Sequence, residues 1–170
     1  TKLLASDGDS GDHFGFSVFI SGETAIVGAH RDDFNGPNSG AAYIYDFNGS
    51  SWVEEIKLTA SDGEDSDYFG YSVAIDEEIA IVGASGDNGN FPGSRGSAYI
   101  YQHNGSNWTE ADKIIPSNAI DSANFGISVS ISGNRAIVGA YGDTGNDYAS
   151  GAAYIYRFNG MQWIDEIKLN

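Results

Sequence analysis

The stretch Ala25-Ile26-Val27-Gly28-Ala29, followed after a Gly/Asn/Asp loop by Ala41-Ala42-Tyr43-Ile44-Tyr45, decides the fold, because the chain repeats it. Val27-Gly28-Ala29 returns as Val82-Gly83-Ala84 and Val138-Gly139-Ala140, at steps of 55 and 56 residues. Ala42-Tyr43-Ile44-Tyr45 returns as Ala98-Tyr99-Ile100-Tyr101 and Ala153-Tyr154-Ile155-Tyr156. Working outward, Phe14-Gly15 returns as Phe69-Gly70 and Phe125-Gly126, and Trp52 as Trp108 and Trp163. Lys2 returns as Lys57, Lys113 and Lys168. A fixed period of this length is the mark of a repeat architecture. The reading is a single repeat domain over residues 1–170, with units over about 2–56, 57–112 and 113–170.

Each unit reads as four short strands. Phe16-Ser17-Val18-Phe19-Ile20 is followed by the turn Ser21-Gly22-Glu23-Thr24, a pattern of period two closed by turn residues. Ala25 to Ala29 is a short apolar strand ending in small residues, suited to a buried inner position. The Tyr-Ile-Tyr strand ends at Phe47-Asn48-Gly49-Ser50, a hairpin signal, and the last strand runs from Trp52 to Leu58. No stretch has helical spacing. Four antiparallel strands repeated in this way predict an all-β chain of β-propeller blades; a solenoid has shorter repeats with fewer strands.

The order Phe-Gly, Val-Gly-Ala, Tyr-Ile-Tyr resembles the FG-GAP repeat of integrin α heads and bacterial surface proteins, and it occurs three times over essentially the whole chain. The resemblance implies propeller blades and a non-enzymatic module outside the cell. Two departures stand out. His30, Ser85 and Tyr141 replace the proline that closes the family's namesake motif. Calcium-binding members carry an acidic loop between the first two strands, but that link here is only Ser21-Gly22-Glu23-Thr24 and its equivalents. Four residues cannot wrap the six to eight oxygens calcium takes.

Composition agrees with an adhesive β protein. The 24 acidic residues against 8 basic ones give a net charge of −16, a field that repels phosphate backbones and anionic membranes, so nucleic acid is not expected as a partner. Cysteine is absent, which removes disulfide scaffolds, thiolate metal sites and cysteine nucleophiles together. No apolar run approaches the length of a membrane helix, so membrane insertion is not expected, and no signal peptide is expected in the sequence from Thr1. An extracellular or cell-surface location is expected, with the chain a mature form or a piece of one. Asn48-Gly49-Ser50, Asn104-Gly105-Ser106 and Asn107-Trp108-Thr109 match the glycosylation pattern, and Asn-Gly-Ser is also an ordinary turn.

Acidic loops elsewhere are candidate calcium sites. Asp7, Asp9 and Asp12 lie on a Gly-rich turn before the first Phe-Gly, and Asp62, Asp65 and Asp67 precede the second. Alternating carboxylates on such a turn suit a hard cation; a solvated acidic turn suits them equally. After Val-Gly-Ala, Asp32, Asp87 and Asp143 align, as do Asn35, Asn90 and Asn146. Two readings stand here also: ligands for a cation, or Asx turns pinning a long loop. Ca2+ is the one cofactor under consideration.

Catalysis has little support. Gly15-Phe16-Ser17-Val18-Phe19 lacks the second glycine of a nucleophile elbow, and Ser17 recurs as Ser72 and Ser128, as a structural hydroxyl does. His13, His30 and His103 do not align. The three tryptophans read as inter-blade packing, with sugar stacking the alternative.

Propellers close with four to eight blades, so three leave sheet faces bare and self-association, as a homo-oligomer or filament, is expected. Thr1 to Ala5 matches the tail of a fourth strand, which suggests a strand donated to a neighbour's sheet. The leading reading is an adhesive module that self-associates or binds protein through its loops. A lectin-like propeller, with Phe34, Phe91 and Tyr148 near the Asp/Asn loops, and a non-catalytic piece of a larger receptor or enzyme are the alternatives.

Overall fold

The computed structural model describes residues 2–88, 95–116, 120, 122–144, 147 and 149–170. Twelve strands are arranged as three four-stranded antiparallel sheets. The first blade comprises β1 (Ser17–Ser21), β2 (Thr24–Ala29), β3 (Ala41–Phe47) and β4 (Trp52–Leu58). The second comprises β5 (Phe69–Asp76), β6 (Ile79–Ala84), β7 (Ser97–His103) and β8 (Trp108–Ile114). The third comprises β9 (Phe125–Ser132), β10 (Arg135–Ala140), β11 (Ala152–Phe158) and β12 (Trp163–Leu169). Strands follow one another in chain order within every sheet, as the repeated hairpin signals require. The all-β blade architecture expected from the repeat is therefore the observed one.

Blades stack face to face. Strand β5 packs against β1, β2 and β3, and β9 against β5, β6 and β7. Between the first two blades lie Ile26, Ile44 and Leu58 on one side and Phe69, Val73, Val82, Tyr99 and Trp108 on the other. The second interface repeats this with Ile81, Ile100 and Ile114 against Phe125, Val138, Tyr154 and Tyr156. Alternation along the inner strands of each blade thus sends one set of side chains forward and the other back, and both sets are apolar. That is why these strands read as continuous hydrophobic runs.

The small residues of Val-Gly-Ala have a specific use. A side-chain carbon on Gly83 would collide with the Gly126 carbonyl of the next blade, and one on Gly28 with that of Gly70. Gly70 itself has φ 84°, a left-handed conformation that favours glycine. Two backbones therefore touch at each blade junction. Ser17 Oγ donates to Gly70 O at 2.8 Å and Ser72 Oγ to Gly126 O at 2.7 Å. The serine that recurs is an inter-blade clasp.

The opening segment lies against the first blade. Residues 2–5 form no strand; Leu3 and Ala5 pack on the outer face of the first blade with Phe14, Trp52 and Tyr45. The Tyr45 hydroxyl donates to Leu4 O at 2.8 Å, as Tyr101 donates to Thr59 O at 2.7 Å. The segment thus sits against the first blade as the linker after β4 sits against the second, and the four strands of each blade are consecutive in the chain.

Candidate functional site

At one edge of each blade, the loop after the second strand meets the linker that enters the blade and the end of the fourth strand. Asp32 stands on that loop in the first blade, buried to 3% exposure. Lys57, near the end of β4, lies 2.8 Å from Asp32 Oδ2 and 2.7 Å from Asp7 Oδ2. The Tyr43 hydroxyl donates to Asp32 Oδ2 at 2.9 Å and to Asp7 Oδ1 at 2.8 Å. The second blade repeats the arrangement: Lys113 is 2.7 Å from both Asp62 and Asp87, and Tyr99 donates to both. In the third, Lys168 lies 3.0 Å from Asp143, to which Tyr154 also donates.

Electrostatics explain why the groups are held this way. Burial works against the Lys57 ammonium, but its bonds to Asp32 and Asp7 outweigh that and hold its pKa above the usual lysine value. The Lys57 hydrogen bond is the largest effect on Asp7, keeping that carboxyl below its ordinary range. Burial opposes Asp62 more strongly, yet Lys113 and Tyr99 still bring it below normal. Burial, with the two carboxylates, pushes the Tyr43 and Tyr99 hydroxyls far above the ordinary tyrosine value, so both stay protonated and donate. The alignment of Lys2, Lys57, Lys113 and Lys168 carried this signal in the sequence, but spacing alone did not say what the lysine meets.

Other candidate ligands are placed as follows. Asp12 Oδ2 accepts the Asp9 N–H at 2.6 Å, and Asp67 Oδ2 accepts the Glu64 N–H at 2.6 Å, so each closes its own turn. Asp9 and Asp65 are exposed, and Asp65 lies against Gly36. Asn35 Nδ2 donates to Ala60 O at 3.2 Å, bracing the loop against the linker. Asn90 and Asn146, with Phe91 and Tyr148, lie outside the described residues. Among the described residues, no group of three or more His, Asp or Glu side chains is arranged to hold a metal ion. The oxygens that converge in each blade converge on a lysine ammonium.

The aromatic candidates divide. Trp108 is buried between blades, and its indole N–H donates to Glu55 Oε2 at 2.9 Å. Trp52 and Trp163 are partly buried. Phe34 is exposed, and the Lys57 ammonium lies 4.9 Å from its ring centre. Asn48 and Asn104 accept backbone N–H groups two and three residues on, which is the turn reading of those triplets.

No curated protein matches the chain. Among the described residues, no helix is long and apolar enough to cross a membrane. The FG-GAP repeat profile matches residues 1–45, 52–101 and 108–156, and repeats of this kind suggest a propeller-type protein-binding module. With three matches across most of its length and a four-stranded blade behind each, this chain belongs to the FG-GAP repeat family.

Proposed function

We propose that this chain is a non-enzymatic, extracellular adhesive module that works by docking blades, and that a second copy of the chain docks on its end faces. The observation that carries the reading is that both end faces keep the chemistry of the two internal junctions. Val18 on the outer face of the first blade is 66% exposed, whereas its equivalent Val73 is 6% exposed within a junction. Leu169 on the opposite end is 44% exposed, against 3% for its equivalent Leu58. Ile20, Ile137 and Ile167 are exposed in the same way.

Backbone details on the third blade point the same way. Gly139 and Gly151 stand where Gly83 and Gly96 admit the backbone of the next blade, yet no neighbouring blade occupies their space. Ser128 presents to solvent the hydroxyl that Ser17 and Ser72 give to a glycine carbonyl. The counterpart acceptor on the first blade is Gly15 O. Head-to-tail docking joins the two, and repetition of one such contact makes a ring or a filament.

Lys2-Leu3 stands at the same step of the repeat as Lys168-Leu169. A docked third blade therefore brings its own Lys-Leu pair, and the opening residues give way to it. Docking through faces needs no donated strand. In each blade the central cation is the lysine of the fourth strand in place of Ca2+. An extracellular location accords with FG-GAP repeats, which are typically found outside cells.

Light scattering tests the reading. The chain is expected as a species of twice its 18.0 kDa mass or more, and Leu169→Glu is expected to return it to monomer with an unchanged circular dichroism spectrum. A monomer at every concentration that solubility allows would refute docking by copies.

A further inference from the structure

The two internal junctions share glycine contacts, serine clasps and apolar faces, but they differ around the tryptophan of the fourth strand. At the first, Glu55 accepts the Trp108 indole N–H at 2.9 Å and lies 3.5 Å from His103 Nε2, so the junction is sealed beside a buried indole. At the second, the corresponding positions hold Ala111, Trp163 and Phe158. The sealing carboxylate is gone, and so is the ionisable ring. An open cleft of about 220 Å³ takes their place, bounded by Trp163, Phe158, Gln102, Asp112, Met161 and Gln162 among others.

The walls of this cleft have a consistent chemistry. Phe158 and Trp163 form a tilted aromatic pair with ring centres 5.7 Å apart. Asp112, standing where the first blade has Ile56, brings a carboxylate to the cleft and uses one oxygen to accept the Trp163 backbone N–H at 3.3 Å. No lysine or arginine lines it. Aromatic faces beside an anion, on a chain of net charge −16, attract a cation and disfavour an anion.

A smaller recess adjoins the cleft and shares Asp112 and Trp163 with it. Tyr156 and Asp165 line the recess together; the Tyr156 hydroxyl is buried and held protonated by burial and by the neighbouring Asp165 carboxylate, to which it makes no bond of full geometry. Tyr45 and Tyr101 at the same step each bond both a linker carbonyl and a glutamate. The third blade has Asp165 at that glutamate's position, one methylene shorter.

We propose that the cleft between the second and third blades binds a small alkylated ammonium ion carrying a hydroxyl, of the choline type. The ammonium sits against Trp163 and Phe158 beside Asp112, and the hydroxyl enters the recess lined by Asp165 and Tyr156. The site lies within one chain and does not depend on docking between copies.

The test is a titration of the isotope-labelled chain with choline chloride, tetramethylammonium chloride and the neutral isostere 3,3-dimethylbutan-1-ol, at matched ionic strength. The Trp163 indole resonance is expected to shift saturably with choline, with a Kd of about 1 mM, while the sealed Trp108 indole stays in place. Tetramethylammonium binds more weakly, and Tyr156→Phe removes that difference. Asp112→Asn weakens choline about tenfold. Ala111→Glu, which restores the sealing residue of the first junction, abolishes binding while the fold, read from the remaining resonances, is kept. Any of three results overturns the proposal: no saturable shift at Trp163, equal binding of the neutral isostere, or a response to hexoses with none to choline.

Discussion

Replacing Lys113 with methionine keeps most of the side-chain volume and removes the charge that holds Asp62 and Asp87 together. Lys113 lies 2.7 Å from each carboxylate, and Asp87 is nearly inaccessible, so water cannot replace the ammonium there. Removing one partner of a buried pair costs about 3–5 kcal/mol. Asp62 is half exposed and relaxes into solvent, which favours the lower end, about 3 kcal/mol. For a chain of this size that corresponds to a fall in Tm of about 6–12 °C at pH 7, read by circular dichroism. The pH dependence gives a second measurement. Asp62 has its folded pKa below the ordinary 3.8, so its stabilisation is present above that value and lost as pH falls through the folded pKa. The gap between wild type and Lys113→Met should therefore narrow below about pH 4. Adding Asp62→Asn and Asp87→Asn to Lys113→Met should recover part of the loss. A variant melting within about 2 °C of wild type, or a gap constant from neutral to acid pH, would show that the lysine is not the counter-ion of these carboxylates.

Four further outcomes follow from the same geometry. Gly83→Ala places a carbon against the Gly126 carbonyl and should lower stability by about 3 kcal/mol or more. Gly139→Ala should cost far less in the monomer but block assembly, which a melt and a light-scattering run together separate. Burial first of all holds His30 down to about 4 and pushes Asp67 up to about 6. Acidification through that window therefore withdraws stability at His30 and returns it at Asp67, each by about 3 kcal/mol at most. Asp67→Asn should expose the loss as a steeper decline between pH 6 and 4 in chemical denaturation, whereas His30→Phe should give a rise. Deleting residues 1–3 should leave assembly unchanged or strengthen it, since these residues occupy the place of a docked Lys168-Leu169; weaker assembly would favour a donated strand. A melt in calcium and one in chelator should coincide, and a rise in Tm with calcium alone would return the acidic loops to the metal reading.

How much could be read without coordinates depended on whether a feature is periodic along the chain. Phe-Gly, Val-Gly-Ala and Tyr-Ile-Tyr recur at near-constant steps, and each marked a strand or junction where one is found, because blade packing imposes the same demand on every repeat. The fourth strand from Trp52 to Leu58 was legible for the same reason. The partners of Asp32 were not: Lys57 and Asp7 lie 25 residues on either side of it, and only the closed sheet brings them together. Asn35 read equally as a ligand or a turn residue because residue type is local, while its carbonyl partner on Ala60 belongs to the linker. The cleft was hidden for the opposite reason. It arises where the repeat is broken, at Ala111 and Asp112, and a break has meaning only once the blade facing it is known.

The lock of each blade also bears on how such a chain can change length over evolution. Asp7, Asp32, Tyr43 and Lys57 all fall within one period, as do Asp62, Asp87, Tyr99 and Lys113. A duplication or loss of one whole period therefore carries a complete lock with it and orphans no buried charge. What the new neighbours must share is only glycine backbone, a serine clasp and apolar faces, and these are the same at every junction. Blade number in such a chain can drift by whole units without any compensating change, while a cut at another phase would split an aspartate from its lysine.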